Sequence, residues 1–297
     1  MKTVIVKGLG LMGGSLAKDM RPLYPEAEFV GMDAKQSHEQ KAVELGLVDR
    51  IGTADDFDRA DMVVLCIPVN ALPDALVEVM DAIHQDCLVW DTGSTKSQLC
   101  KRLSNHPKRH QYVAAHPIAG TENTGPEAAI SGLFHGKTNI VCEVERSGFE
   151  FQERARELFQ ALGMRIRFMN PDTHDRQIAF VSHLSHISSF MLGKTVMREE
   201  QSERDIFDMA GSGFESTVRL AKSSPAMWTP IFEQNSQAVL EALGDYIKHL
   251  TEFKNKMEEE QWEELYAEME KINGIRSILE GIPGTPSAKT KEEIQKQ

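Results

Sequence analysis

Three groups of residues have types and spacing that could do chemistry. Behind a β-rich opening run stands Gly8-Leu-Gly10-Leu11-Met12-Gly13, a G-x-G-x-x-G that leads into a helical pattern. Glycines so spaced allow a tight turn, close backbone approach to a pyrophosphate and close packing of the next helix, whose first N–H groups face the phosphates. Gly8, Gly10, Leu11, Met12 and Gly13 are therefore expected to hold a dinucleotide. Asp33 follows Gly13 by 20 residues, at the end of the next β-rich run, where an acid accepts hydrogen bonds from a ribose 2′-hydroxyl and favours NAD over NADP. Asp also caps turns, and that reading stays open.

The second group is Leu88-Val-Trp-Asp-Thr-Gly-Ser94-Thr95-Lys96, a strand pattern running into a helix start. Ligands of open α/β sheets sit outside the carboxyl ends of strands, which places Ser94 and Lys96 near the reacting end of a dinucleotide. Ser94 or Thr95 equally suits the cap of the following helix. The third group is His116-Pro-Ile-Ala-Gly-Thr-Glu122, again behind a strand pattern. A histidine facing the crevice there has the near-neutral pKa that general-base work needs. His183 and His186 are spaced i, i+3, but a metal site would need a third ligand and no H-E-x-x-H is present, so none is expected.

The elements that must position these groups change character near Pro171. Strands are expected at Thr3–Lys7, Glu28–Met32, 62–67, Leu88–Asp91, 112–115, 139–144 and Arg165–Met169, with helices at Leu11–Met20, 71–83 and 151–162. Strand-helix alternation with nearly continuous apolar strands indicates an α/β fold, a Rossmann-like doubly wound parallel sheet. Beyond Pro171 only helical spacing remains, at 173–197, 225–250 and 258–279; Phe180, Leu184, Ile187 and Met191 form one apolar stripe. The expected organisation is a dinucleotide-binding domain at 1–170, an all-helical domain at 171–282 and a flexible tail at 283–297, with the active site between the domains.

Composition narrows the function classes. Of 297 residues 41% are hydrophobic and 26% charged, as in globular proteins, and no apolar run is long enough to span a bilayer. The net charge of −12 argues against a nucleic-acid partner, though a few local cations can still hold a small anion. Cys66, Cys87, Cys100 and Cys142 form no C-x-x-C pair, and the first strand pattern leaves no room for a signal peptide. A cytoplasmic location is expected.

The motifs G-L-G-L-M-G-G-S at 8–15, D-T-G-S-T-K at 91–96, H-P-I-A-G-T-E at 116–122, S-H-L-S-H at 182–186 and G-F-E-S-T-V-R-L-A-K-S-S-P at 213–225 together resemble the prephenate dehydrogenase family, in the family's order over about residues 1 to 280. The resemblance implies NAD-dependent oxidative decarboxylation of prephenate on the route to tyrosine. His116 then resembles the base that accepts the ring-hydroxyl proton, and Ser94 the serine that hydrogen-bonds near it. Arg219 matches an arginine that holds a substrate carboxylate, His183 resembles a substrate-binding histidine, and Trp228 a tryptophan near the partner subunit's active site. A homodimer formed through the helical domain is implied. The chain departs from the family at Ser185, Ser212 and Ser216, the last standing where an acid is common. Arogenate as substrate, a β-hydroxyacid or imine-type dehydrogenase, and an NAD-sensing regulator are the competing readings.

Overall fold

The computed structural model describes residues 1–200 and 206–280. The chain runs through β1 (Thr3–Lys7), α1 (Leu11–Met20), β2 (Glu28–Met32), α2 (Gln36–Glu44), β3 (Arg50–Ile51), β4 (Met62–Leu65), α3 (Leu72–Ala82), β5 (Leu88–Asp91), α4 (Ser97–Arg102), β6 (Tyr112–Pro117), β7 (Thr138–Cys142), α5 (Phe149–Ala161) and β8 (Arg165–Met169). There follow α6 (Pro171–Ile178), a π-helical turn at Ala179–His183, α7 (Leu184–Glu200), α8 (Ser212–Val218), α9 (Pro225–Gln234), α10 (Ser236–Glu258), α11 (Trp262–Ile272) and α12 (Ile275–Glu280).

The strands form one sheet in the order β3-β2-β1-β4-β5-β6-β7-β8. The first six follow the doubly wound order, with its reversal at β1, between β2 and β4. Every pair is parallel except β6 with β7, which is antiparallel. The expectation of a wholly parallel sheet is corrected there. A parallel return usually needs a helical crossover, and the stretch between β6 and β7 holds only a short 3-10 turn at Pro126–Ala128.

Period-2 alternation divides the strands between two cores. Val4, Val6, Met62, Val64, Leu88, Trp90 and Val113 face one side, with Leu16, Met20, Leu158 and Phe159 from α1 and α5. Ile5, Val63, Leu65, Val89, Tyr112 and Ala114 face the other, with Leu76, Val79, Leu99 and Leu103 from α3 and α4. A strand buried on both faces reads as a continuous apolar run, which is why Val63-Val-Leu can be recognised as a central strand. Trp228 and Ile231 of α9 join the second core.

The chain forms compact units at 1–239 and 240–297. Helices α6 to α9 belong to the first unit because polar contacts stitch them to the sheet's loops. Asp175 accepts from the amides of Lys96 and Ser97, and Gln234 donates to the Val69 carbonyl. The second unit, as far as it is described, is helical; Ile247, Leu250, Phe253, Trp262, Tyr266 and Ile272 are exposed on it. The tail expected at 283–297 lies outside the described residues. Among the described residues no helix is long and apolar enough to cross a membrane.

Candidate active site

The glycine turn is built as its sequence requires. Gly8 has φ +98°, and a Cβ there would stand 2.3 Å from the Cys66 carbonyl oxygen at the end of β4. A Cβ on Gly13 would stand 1.8 Å from the Gly8 carbonyl oxygen, so α1 reaches the turn only because both positions lack side chains. Gly10, the N-cap of α1, brings no side chain to its first-turn amides, which include those of Leu11 and Met12. Asp33, at the end of β2, accepts 2.8 Å from the Leu9 amide and 2.9 Å from the Lys35 amide. It therefore closes its own turn and ties that turn to the glycine loop. His38 Nδ1 lies 3.3 Å from the same carboxylate. An open helix N-terminus, close-packed glycines and a carboxylate at the end of β2 fit a dinucleotide.

The segment after His116 is anchored over α1. Ser15 Oγ accepts from the Ile130 amide at 3.0 Å, Lys18 Nζ donates to the Ala129 carbonyl at 2.7 Å, and Asp19 accepts from the Gly132 amide. Gly14 packs so tightly against Ala129 that an added Cβ would approach its Cβ to 2.7 Å. These contacts hold residues 129–132 against α1, the helix that follows the glycine turn.

His116, on the last stretch of β6, is 8% exposed. Its Nδ1 lies 2.8 Å from Nε2 of His174, and Nδ1 of His174 lies 2.7 Å from Oδ1 of Asp175, both residues of α6. Burial first, then the neighbouring His174, Lys96 and His183, push the His116 imidazole well below its ordinary pKa. Burial alone would raise Asp175, but hydrogen bonds from His174 and from the Ser97 and Lys96 amides outweigh it and hold the carboxyl below its usual range. The site thus presents a neutral histidine backed by a second histidine and a carboxylate.

Lys96 does not reach the cleft. Its side chain is fully buried and its ammonium is bonded to Asp91, which also accepts from Tyr112 Oη at 2.6 Å and from the Gly93 and Ala115 amides. A buried cation needs such a partner, so Lys96 supports β5 and β6 from beneath. Ser94 is half-buried on the same loop and makes no hydrogen bond with the described residues. The cap of α4 comes neither from Ser94 nor from Thr95 but from Asp175.

The two histidines of S-H-L-S-H take opposite parts. His183 is 1% exposed, its Nδ1 is 3.3 Å from Asn235 Nδ2, and burial pushes its pKa down to about 4. In this chain the ring is enclosed by Asn235, Trp228 and Phe232. His186 is only half-buried and stacks on Trp228 at 3.5 Å between centroids, with Arg219 near enough to help burial hold its pKa down. The π turn at Ala179–His183 inserts an extra residue between α6 and α7 and shifts the phase of the helix there. Of the expected stripe, Phe180, Leu184 and Ile187 are partly buried and Met191 is 50% exposed, while His174, Ile178 and His183 are buried.

Trp228 is buried in its own chain against His183, His186 and Phe232. Arg219 is 54% exposed at the side chain and stands 3.8 Å from Glu122, the last residue of the H-P-I-A-G-T-E run. Ser216, where an acid was looked for, bonds the Gly213 carbonyl of its own helix, so the acid beside Arg219 is Glu122.

Comparison with known proteins agrees with this geometry. The family model described as prephenate dehydrogenase, nucleotide-binding domain, matches residues 16–168, and prephenate dehydrogenase, dimerization domain, matches 170–271. The chain is 30% identical to the cyclohexadienyl dehydrogenase of Zymomonas mobilis over 252 residues, 84% of this chain and 86% of that one. It is similar to the solved prephenate dehydrogenase of A. aeolicus in complex with hydroxyphenyl propionate and NAD+, at 30% identity and TM-score 0.86, covering 94% of this chain and 98% of that one. The Synechocystis arogenate dehydrogenase matches at 29% identity and TM-score 0.75, covering 93% and 99%. Two matched domains that together span most of the chain, in the order of its sheet and its helices, leave one assignment: this chain belongs to the prephenate dehydrogenase family.

Proposed function

We propose that this enzyme is NAD-dependent and oxidatively decarboxylates prephenate to 4-hydroxyphenylpyruvate and CO2 in the supply of tyrosine. The observation that carries the reading is a neutral His116 at the carboxyl end of β6, on the loop that also brings Glu122 to Arg219. Backbone amides at the glycine turn and the Asp33 carboxylate would hold NAD, which supplies the hydride acceptor. His116 takes the proton of the ring hydroxyl as the carbon beneath it is oxidised. Arg219 exchanges its contact with Glu122 for a substrate carboxylate and so fixes the face of the ring. His186, held by the Trp228 stack, takes the substrate-facing place that the family resemblance gave to His183, and Ser94 offers a hydroxyl on the β5 loop. Loss of CO2 aromatises the ring and makes the step irreversible.

A second reading has its own observation. Glu122 leaves a carboxylate beside Arg219 that would suit the ammonium of arogenate. Turnover of the two acids, followed through NADH absorbance, decides between them: preference for prephenate supports the proposal, and turnover of arogenate alone overturns it. We further propose that the enzyme is a homodimer of the cytoplasm, with the exposed apolar residues of α10 to α12 as the joining surface. Light scattering at micromolar concentration would overturn the dimer by returning a monomer mass.

A further inference from the structure

We infer that His174 and Asp175 are positioning residues that fix the tautomer of His116 and share its proton during the reaction; the catalytic part rests on the proposed dehydrogenase reading. The inference comes from a chain of donors and acceptors that admits few arrangements. Asp175 Oδ1 accepts from the Lys96 amide at 2.8 Å and Oδ2 from the Ser97 amide at 2.9 Å, so it is bound as a carboxylate, an acceptor only. His174 Nδ1, 2.7 Å away, must then carry a proton. A neutral His174 leaves Nε2 as an acceptor, and His116 Nδ1 at 2.8 Å is the donor that meets it. His116 is left with an unprotonated Nε2, which has no partner among the described residues. That lone pair is what a general base needs.

The groups that face this chain are few. Lys96 lies against it from the β5–α4 loop with its ammonium neutralised by Asp91, and His183 from the π turn is buried near it. Asn235 donates to the Asp175 backbone carbonyl at 2.7 Å and lies against His183 Nδ1, which keeps that ring out of the chain. No other charge is needed to set the tautomer.

In the reaction the proton is stored and then returned. His116 Nε2 takes the hydroxyl proton as the hydride departs, and the positive charge spreads when the Nδ1 proton shifts toward His174 Nε2, beside the Asp175 carboxylate. The pair of electrons freed by CO2 loss completes the aromatic ring, and the ring oxygen recovers a proton from Nε2 as the Nδ1 proton moves back. No proton is gained or lost overall. A buried histidine held well below its ordinary pKa is a weak base alone; His174 and Asp175 supply the stabilisation that its buried imidazolium lacks.

Two measurements on the full-length protein test this. Nitrogen-15 spectra of labelled histidines in the free enzyme report the tautomer whether or not any substrate is turned over. His116 as the Nδ1–H form is expected, and the Nε2–H form would overturn the proposal. Kinetic variants then test the proton sharing, with NAD affinity as the control for folding. His174→Leu removes the acceptor and should lower kcat by roughly 10²-fold with KM changed less than about threefold. His174→Gln keeps an acceptor oxygen that cannot ionise and should recover part of that loss. A kcat within about threefold of wild type in His174→Leu would overturn the sharing. A wild-type enzyme inactive on both prephenate and arogenate would instead refute the proposed function and leave the tautomer measurement standing.

Discussion

The Arg219 guanidinium stands 3.8 Å from the Glu122 carboxylate, which joins the helical segment after α8 to the loop that begins at His116. Both side chains are more than a third exposed, so the pair contributes little to stability and opens readily. A guanidinium held loosely by one carboxylate at a cleft is ready to take another.

Replacing Arg219 with Gln should therefore weaken prephenate binding far more than it weakens the fold. A hydrogen bond to a charged group contributes about 1.5–3 kcal/mol, which corresponds to a roughly 10- to 150-fold rise in Kd or KM. Substrate titration and thermal unfolding of the same variant separate the two effects. Unchanged affinity with a lowered melting temperature would make Arg219 a structural residue.

On the proposed reading, Asp33 sets the cofactor preference. Its carboxylate, bound to the Leu9 and Lys35 amides, stands where a 2′-phosphate would meet like charge, at a cost of a few kcal/mol on order-of-magnitude grounds. NAD should be preferred over NADP, and Asp33→Ser should erase most of the difference. Equal kcat/KM values for the two cofactors in the wild type would contradict the assignment.

The acid limb of kcat/KM should lie below the ordinary imidazole pKa of about 6.5, because burial favours the neutral, active form of His116. Activity is then retained as the pH falls through 6.5 and is lost only beneath it. A pH profile of initial rates with prephenate checks this, and a limb at or above 6.5 would refute it.

His183 links pH to stability with the opposite consequence. Its pKa is held at about 4 in the folded chain against 6.5 unfolded, so both forms are neutral above pH 6.5 and the residue contributes no pH dependence there. As pH falls from 6.5 to 4 the unfolded chain binds a proton that the folded chain refuses. Stability declines across that window by about 3 kcal/mol and the loss is complete below pH 4. Denaturant unfolding at several pH values should show a shallower decline in His183→Gln than in the wild type; parallel declines would contradict this.

Much of this fold is legible in the sequence because its signals are local. β1, β2, β5, β8 and α1 have the bounds that apolar runs and the glycine turn mark. β3 escapes because two residues, Arg50 and Ile51, show no period. Pro230 hides nothing, but the single helix expected at 225–250 is two, broken at Asn235, whose side chain is spent on Asp175 and His183. The site divides in the same way. Glycines, Asp33 and His116 announce themselves by their place behind strands. His174 lies 58 residues from the histidine it touches, and only the folded chain brings this face of α6 to the end of β6. His186 shares its motif with His183, and only its partial exposure in the folded chain tells the two rings apart.

On the proposed reading a neutral His116 acts as the base in an NAD-dependent oxidation of prephenate. It is tested most directly by NADH formation from prephenate in the wild type and in His116→Asn, each with NAD binding measured alongside. The expected result is turnover in the wild type and a kcat roughly 10²–10⁴ lower in the variant, with NAD affinity preserved. A variant that keeps near-normal kcat would contradict it.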